Sequence, residues 1–236
     1  MKDKIYDSIP AGYYYFAFKK GYLIQRFWHK YKFLEIRDLM KLKDKDILDV
    51  GCGPGVLLSL LPPVYKSAIG LDLSKKQIEF AKDKFKDYDR IEWVTKDFRD
   101  INYKKKSFDY IIAAEFIEHI TYKDSIDFLK KARKLLKKDG EVILTTPNYL
   151  SLWPFIEIIL NKISEVSYEE QHINKLTIEK IKKLLKEAGL KNIKIKTFFI
   201  SAPFLSFLSE GFAGKILSIE KKLFPLFGSL IIVKAS

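Results

Sequence analysis

The chain has 236 residues, 47% of them hydrophobic and 31% charged, which allows one α/β domain with a full core and excludes a disordered or fibrous chain. Lys and Arg total 43 against 30 for Asp and Glu, a formal charge of +13; such a surplus attracts polyanions, whether nucleic acid, an anionic membrane surface or a phosphorylated substrate. Cys52 is the one cysteine, so an intrachain disulfide is excluded and nothing argues for export.

The opening MKDKIYDSIPAG has charges with no apolar stretch behind them, so no secretory signal is expected. Residues 13–40 then read as an aromatic-rich amphipathic helix or helix pair. From there strand and helix patterns alternate. Short β-branched runs appear at Asp46–Val50, Ser67–Leu71, Ile91–Thr95, Phe108–Ala114, Glu141–Thr146, Ile193–Ile200 and Ser229–Lys234. Helix-period segments fall at about Gly55–Leu61, Ser74–Phe85, Lys123–Lys137 and Thr177–Ala188. Continuous apolar strands separated by helices indicate a doubly wound parallel sheet covered on both faces. Ser74 and Thr177 stand where N-caps belong, and Gly140 and Gly189 where C-caps belong.

Three segments leave this alternation: 13–40, 147–176 and 201–227. Ligands of an open α/β sheet sit beyond the carboxyl ends of its strands, so such insertions are expected to form a lid over the site. The longest apolar stretches, Leu150–Leu160 and Phe198–Leu208, are broken by Pro154 and Glu157 and by Pro203 and two serines. They fall short of the roughly 20 apolar residues a membrane span needs. A cytoplasmic protein is expected, with peripheral contact at a membrane left open.

The first strand runs into Asp49-Val50-Gly51-Cys52-Gly53-Pro54-Gly55. Glycines at 51, 53 and 55 let the backbone turn sharply and approach a ligand closely. Asp72 ends the second strand 17 residues after Gly55, beside Leu73, where a carboxylate can accept both hydroxyls of a ribose. Asp97-Phe98 closes the third strand, where an acid and an aromatic ring can hold the edge and face of an adenine. Pro54 removes an N–H that a pyrophosphate site would use, and no Gly-Lys-Ser/Thr ending follows.

Together these motifs resemble those of the class I methyltransferase superfamily. The resemblance covers about residues 45–200, and Ser229–Lys234 fits the final strand. It implies a seven-stranded sheet in the order 3-2-1-4-5-7-6 with the last strand antiparallel, as one domain over 1–236. It also implies S-adenosylmethionine as cofactor, contacted by Asp49, Gly51, Cys52, Gly53, Gly55, Asp72, Leu73, Asp97, Phe98 and Glu115. Lys32 or Arg37 is placed to reach the cofactor's carboxylate, and His29 reads as a packing or lid residue.

The fourth strand leads into Glu115-Phe116-Ile117-Glu118-His119. In a helical turn Glu115, Glu118 and His119 would share one face at a strand's carboxyl end. The stretch, with Thr145-Thr146-Pro147-Asn148, Gln171-His172 and Ala188-Gly189-Leu190, resembles a subgroup similar to ubiquinone-biosynthesis O-methyltransferases. Two chemistries fit. His119 or His172 could act as general base on a hydroxyl, or Glu115, Glu118, His119 and His172 could hold a divalent cation such as Mg²⁺. A third reading gives Glu118 and His119 only the shaping of the pocket.

Clustered aromatic and aliphatic residues in the three insertions suit a small apolar or lipid-like acceptor. The charge and the interleaved aromatics leave RNA as the alternative acceptor, through a ribose 2′-hydroxyl; DNA is not expected. No separate RNA-binding module is visible, and the lysines (Lys75, Lys76, Lys82; Lys182, Lys183, Lys186) spread along helix faces as an ordinary solvated surface does. A non-catalytic cofactor-binding subunit is the remaining alternative.

Overall fold

The computed structural model describes residues 9–163 and 168–236. The start of the opening segment and residues 164–167 of the second insertion lie outside the described residues. Seven strands form one sheet: β1 (Asp46–Val50), β2 (Ser67–Asp72), β3 (Ile91–Thr95), β4 (Phe108–Ala114), β5 (Leu136–Pro147), β6 (Lys194–Phe198) and β7 (Leu230–Ala235). The spatial order is β3-β2-β1-β4-β5-β7-β6. Strands β1 to β5 pair in parallel, while β7 runs antiparallel to both β5 and β6. This is the order and the odd strand that the motifs implied.

The helices in chain order are α1 (Tyr13–Lys20), α2 (Leu23–Asp38), α3 (Val56–Ser59), α4 (Lys75–Lys84) and α5 (Tyr122–Leu135). After β5 come α6 (Trp153–Ile163), α7 (Tyr168–Gln171) and α8 (Ile178–Glu187), then α9 (Ala202–Leu205) and α10 (Glu210–Leu223). Alternate residues of each strand feed opposite faces, because side chains alternate along a strand. Ile47, Tyr110, Ile112 and Ile143 join one buried cluster with Phe27 and Ile36 of α2 and Ile78 of α4. Leu48, Val50, Ile111, Val142 and Leu144 join the other with Phe128 and Leu129 of α5 and Leu184 of α8. The central strands are therefore covered on both faces, which leaves their carboxyl ends open to a ligand. Among the described residues no helix is long and apolar enough to cross a membrane.

Two local expectations are corrected. Gly140 is not a helix C-cap but lies within β5, which begins at Leu136 directly after α5. Between Phe108 and Tyr110 the β4–β5 register shifts, and a Cβ on Gly140 would stand 2.9 Å from the Phe108 carbonyl oxygen. The glycine answers a close backbone approach at that irregularity. Glu115, read as the start of a helical turn, has φ 51. The left-handed residue breaks the chain direction, and a separate 3₁₀ turn, Ile117–His119, follows.

Candidate functional site

The carboxyl ends of β1, β2 and β3 meet at the glycine turn. Gly51, Gly53 and Gly55 all have positive φ (73, 52 and 79), a region that costs a residue with a Cβ about 1–2 kcal/mol. Their surroundings differ. A Cβ would meet Phe116 at 2.7 Å on Gly51 and Trp93 at 2.4 Å on Gly55, but nothing within 4 Å on Gly53. Gly53 thus presents bare backbone to open space, whereas Gly55 answers the packing of Trp93 and does not line the cavity described below.

Asp72 holds this turn in place. Its carboxylate accepts the N–H of Gly53 and of Ser74, each at 2.8 Å. Burial pushes its pKa up against the pull of those N–H groups. Asp49 lies beneath, 1% exposed, with Oδ1 lacking a hydrogen-bond partner among the described residues. Burial, with Asp72 close by, pushes its pKa up to about 7. At the end of β3, Arg99 grips the Asp97 carboxylate through Nε at 2.9 Å and holds it below the usual carboxylate range. A ligand edge there would meet a carboxylate already bound by Arg99. Phe98 is buried edge-on against Phe116 and Phe128.

From Gly51, Cys52, Gly53, Asp72, Leu73, Asp97 and Phe98 one cavity of about 270 Å³ runs to Glu115, His119 and His172. Side chains of Ile24, Trp28, Trp153, Ile156 and Leu160 also line it. Two of the three insertions thus supply its apolar wall. Trp28 and Trp153 meet with ring centroids 5.4 Å apart, and Trp153 lies 6.0 Å from His172. The third insertion, 201–227, contributes nothing to the lining. Its α9 packs against α2 instead, beside Phe199, whose ring lies 4.4 Å from that of Trp28.

Glu115 turns to α2 rather than to Glu118. Its carboxylate is ion-paired with Lys32 and accepts Trp28 Nε1–H at 3.4 Å. Burial alone would push this carboxyl up; Lys32 above all, with His29 and Trp28, outweighs it and keeps the group below its ordinary value. Lys32 is 3% exposed and also reaches His29 Nδ1 at 3.4 Å. Burial, reinforced by Lys32, pushes His29 down to about 3, so this ring is neutral. Arg37 pairs with its exposed neighbour Asp38 and does not line the cavity.

Glu118, His119 and His172 do come together: each offers a ligand atom, and these atoms lie within 4.8 Å of one another. Glu118 is fully buried, and neither of its carboxylate oxygens has a hydrogen-bond partner among the described residues. Burial, with Glu115 adding, pushes it up to about 7 against the pull of His172. His119 Nδ1 lies 3.1 Å from the Gln171 carbonyl oxygen, a contact that the tautomer protonated at Nδ1 satisfies. Burial and His172 push His119 down to about 4.

His172 Nδ1 lies 2.6 Å from Glu157 Oε1, and the Tyr149 hydroxyl donates to the same oxygen at 2.6 Å. Burial would raise Glu157, but the hydrogen bonds from His172 and Tyr149 outweigh it and hold the carboxyl ionised below its usual range. Sequence reasoning passed over Glu157 and Tyr149. The signal present was a lone acid in the otherwise apolar Leu150–Leu160 stretch, since a buried carboxylate requires a partner.

The "Methyltransferase domain" family matches residues 23–195. A ubiquinone biosynthesis O-methyltransferase of Pelagibacter ubique is 38% identical over 117 residues, 45% of this chain and 44% of that protein. The match thus spans less than half the length of that relative. A demethylmenaquinone methyltransferase of Staphylococcus saprophyticus is 28% identical over 170 residues, 64% of this chain and 72% of its own. The crystal structure of a SAM-dependent methyltransferase from Archaeoglobus fulgidus superposes with a TM-score of 0.62 at 22% identity, covering 94% of this chain and 98% of that one.

Proposed function

Because the chain belongs to the class I S-adenosylmethionine-dependent methyltransferases, we propose that it methylates a hydroxyl of a small, apolar, quinone-type acceptor held at the His119–His172 end of the cavity. The observation that carries this reading is the continuity of the cavity. A glycine turn with two carboxylates at one end leads to two histidines under an apolar wall at the other. Two relatives named for quinone acceptors support the same class.

The residues present fit the cofactor. Gly53 offers a cradle that a Cβ would fill, and Asp49 keeps a buried oxygen without a partner. Gly51, Cys52, Gly53, Asp72 and Leu73 would hold it, with Asp97 and Phe98 at the adenine end and Lys32 and Glu115 near the methionine end. When bound, S-adenosylmethionine supplies an electrophilic methyl group on a sulfonium.

The chain's own part is to place and deprotonate the acceptor. With Glu157 ionised, His172 donates Nδ1–H to it, which puts the imidazole lone pair on Nε2. That nitrogen takes the hydroxyl proton as the oxygen becomes nucleophilic, and the Glu157 carboxylate stabilises the imidazolium that forms. Trp28, Trp153 and Ile156 keep water from the reacting atoms and bury the acceptor's hydrocarbon at about 25 cal/mol per Å². In this reading residues 13–40 and 147–176 are the acceptor lid of a single domain.

A second reading rests on the spacing of Glu118, His119 and His172 and on the fully buried Glu118 carboxylate. These three would hold a divalent cation such as Mg²⁺, which lowers the pKa of a bound hydroxyl. The Nδ1 contacts of both histidines suit that role, since metal-binding histidines donate their other N–H to a carbonyl or carboxylate. Glu115, paired with Lys32, stands outside this set.

The test is transfer of labelled methyl to a water-soluble hydroxylated quinol and to a short RNA, each with and without chelator. Label on the quinol that survives chelation is the expected result. Loss with chelator and recovery with Mg²⁺ would put the cation in place of the simple base. Label on the RNA alone would overturn the acceptor class.

A further inference from the structure

The third insertion carries apolar residues that the cavity does not use. Phe207, Leu208, Leu223 and Phe227 are 60–71% exposed, and Phe212 and Ile219 are 46% and 51% exposed. Three of them, Phe212, Ile219 and Leu223, lie on one element. In α10 the exposed positions 212, 215, 219, 222 and 223 recur at helical spacing and so share one face, while Ala213, Leu217 and Glu220 bury the opposite one. Fourteen residues of helix span about 21 Å. Phe207 and Leu208 precede the N-terminal end of this face, and Phe224 and Phe227 follow the C-terminal end. The result is an apolar stripe about 20 Å long, far beyond scattered surface residues.

Lysines are set into this stripe. Lys215 and Lys222 lie on the same helix face as Phe212, Ile219 and Leu223. The two acids of the segment are both occupied: Glu210 is ion-paired with Lys30, and Glu220 is buried, accepting N–H from Ile200, Ser201 and Ala202. Ser206, next to Phe207, borders a groove of about 230 Å³ also lined by Lys19, Arg26 and Lys30. Apolar side chains interleaved with lysines, beside a groove lined by Lys19, Arg26, Lys30 and the Lys30-paired Glu210, are the pattern of an element lying in a lipid–water interface.

We propose that residues 204–227 dock the enzyme on an anionic lipid bilayer, with Phe207, Leu208, Ile219 and Leu223 entering the acyl boundary and Lys19, Arg26, Lys215 and Lys222 meeting lipid phosphates. A second copy of the chain fits this face less well. Two-fold packing sets a surface against itself, which would bring the lysines of two like patches into one interface in a chain of net charge +13. The face contributes no side chain to the methyl-transfer cavity, so docking and turnover are separable.

The experiment is flotation with vesicles of phosphatidylcholine alone and of equal parts phosphatidylcholine and phosphatidylglycerol, at low and high salt. The full chain should partition to the anionic vesicles at least about tenfold better, less so at high salt. Phe207→Ser with Leu223→Ser should lower that partition about tenfold or more. Both sites are exposed, so thermal stability and the rate on a water-soluble acceptor should stay as in the wild type. Lys215→Glu with Lys222→Glu should abolish the preference for anionic vesicles, and it keeps the test decisive should the first variant fail to fold. Equal partition to both vesicles, or variants that bind as the wild type does, would overturn the proposal. So would wild-type self-association that the serine variant removes.

Discussion

Replacing His172 by alanine is expected to lower kcat for methyl transfer about 10²–10⁴-fold, the range a positioned general base supplies, while S-adenosylmethionine still binds. Most of the cofactor's proposed contacts lie at the glycine-turn end of the cavity and none is His172, so binding and turnover should part company. Glu157→Gln is the sharper variant. It keeps the side chain's size next to Tyr149 and His172 but removes the charge that stabilises an imidazolium 2.6 Å away. A drop of about tenfold or more in kcat with KM held marks a group acting mainly in the transition state. Full activity in His172→Ala would remove both the base and the cation readings, since both route through this ring. Stopped-assay kinetics with folded variants, checked by circular dichroism, decide it.

Lys32→Met is expected to destabilise the protein by about 3–5 kcal/mol, the cost of leaving one partner of a buried ion pair alone. Lys32 is almost wholly buried and is the cation that outweighs the desolvation of Glu115. Without it that carboxylate keeps, of its hydrogen bonds among the described residues, the 3.4 Å bond from Trp28. The double variant Lys32→Met with Glu115→Leu should recover much of the loss, because removing both charges removes the uncompensated one. Urea unfolding of the three proteins measures this. A loss under about 1 kcal/mol in the single variant is what an exposed pair gives, and would contradict the burial of this cluster as the anchor of α2 over the cavity.

The parallel sheet was legible because strands sealed on both faces read as unbroken apolar runs, with the glycine turn punctuating the first; the spatial order of the strands came only with the resemblance to the class I methyltransferases. Asp72 was legible as an acid at a strand end, Glu118 and His119 as residues just past another, and His172 as a histidine at a loop–helix junction. Three things were not. Gly140 follows Lys-Lys-Asp after a helix pattern, which looks like a C-cap; only the β4–β5 register shift exposes its close backbone approach. Glu115 was grouped with Glu118 and His119 by helical spacing, but one left-handed residue broke the helix and turned it to Lys32. The 201–227 insertion shares the aromatic richness of the other two, yet composition does not say which strand end an insertion covers. It packs against α2 and leaves its apolar stripe to solvent. Glu157 shows the converse: a buried acid is unremarkable as a letter in a helix and acquires meaning only when His172 arrives from 15 residues away.

In the proposed reaction one cavity serves the cofactor at the glycine turn and the acceptor at the histidines. The most direct measurement is a crystal structure with S-adenosylhomocysteine, the demethylated product. The ribose hydroxyls should lie within hydrogen-bonding distance of Asp72, the backbone of Gly51–Gly53 should contact the homocysteine end, and the sulfur should face the space between Trp153, His119 and His172. A product whose sulfur points away from His119 and His172, or one bound outside this cavity, would contradict that reading.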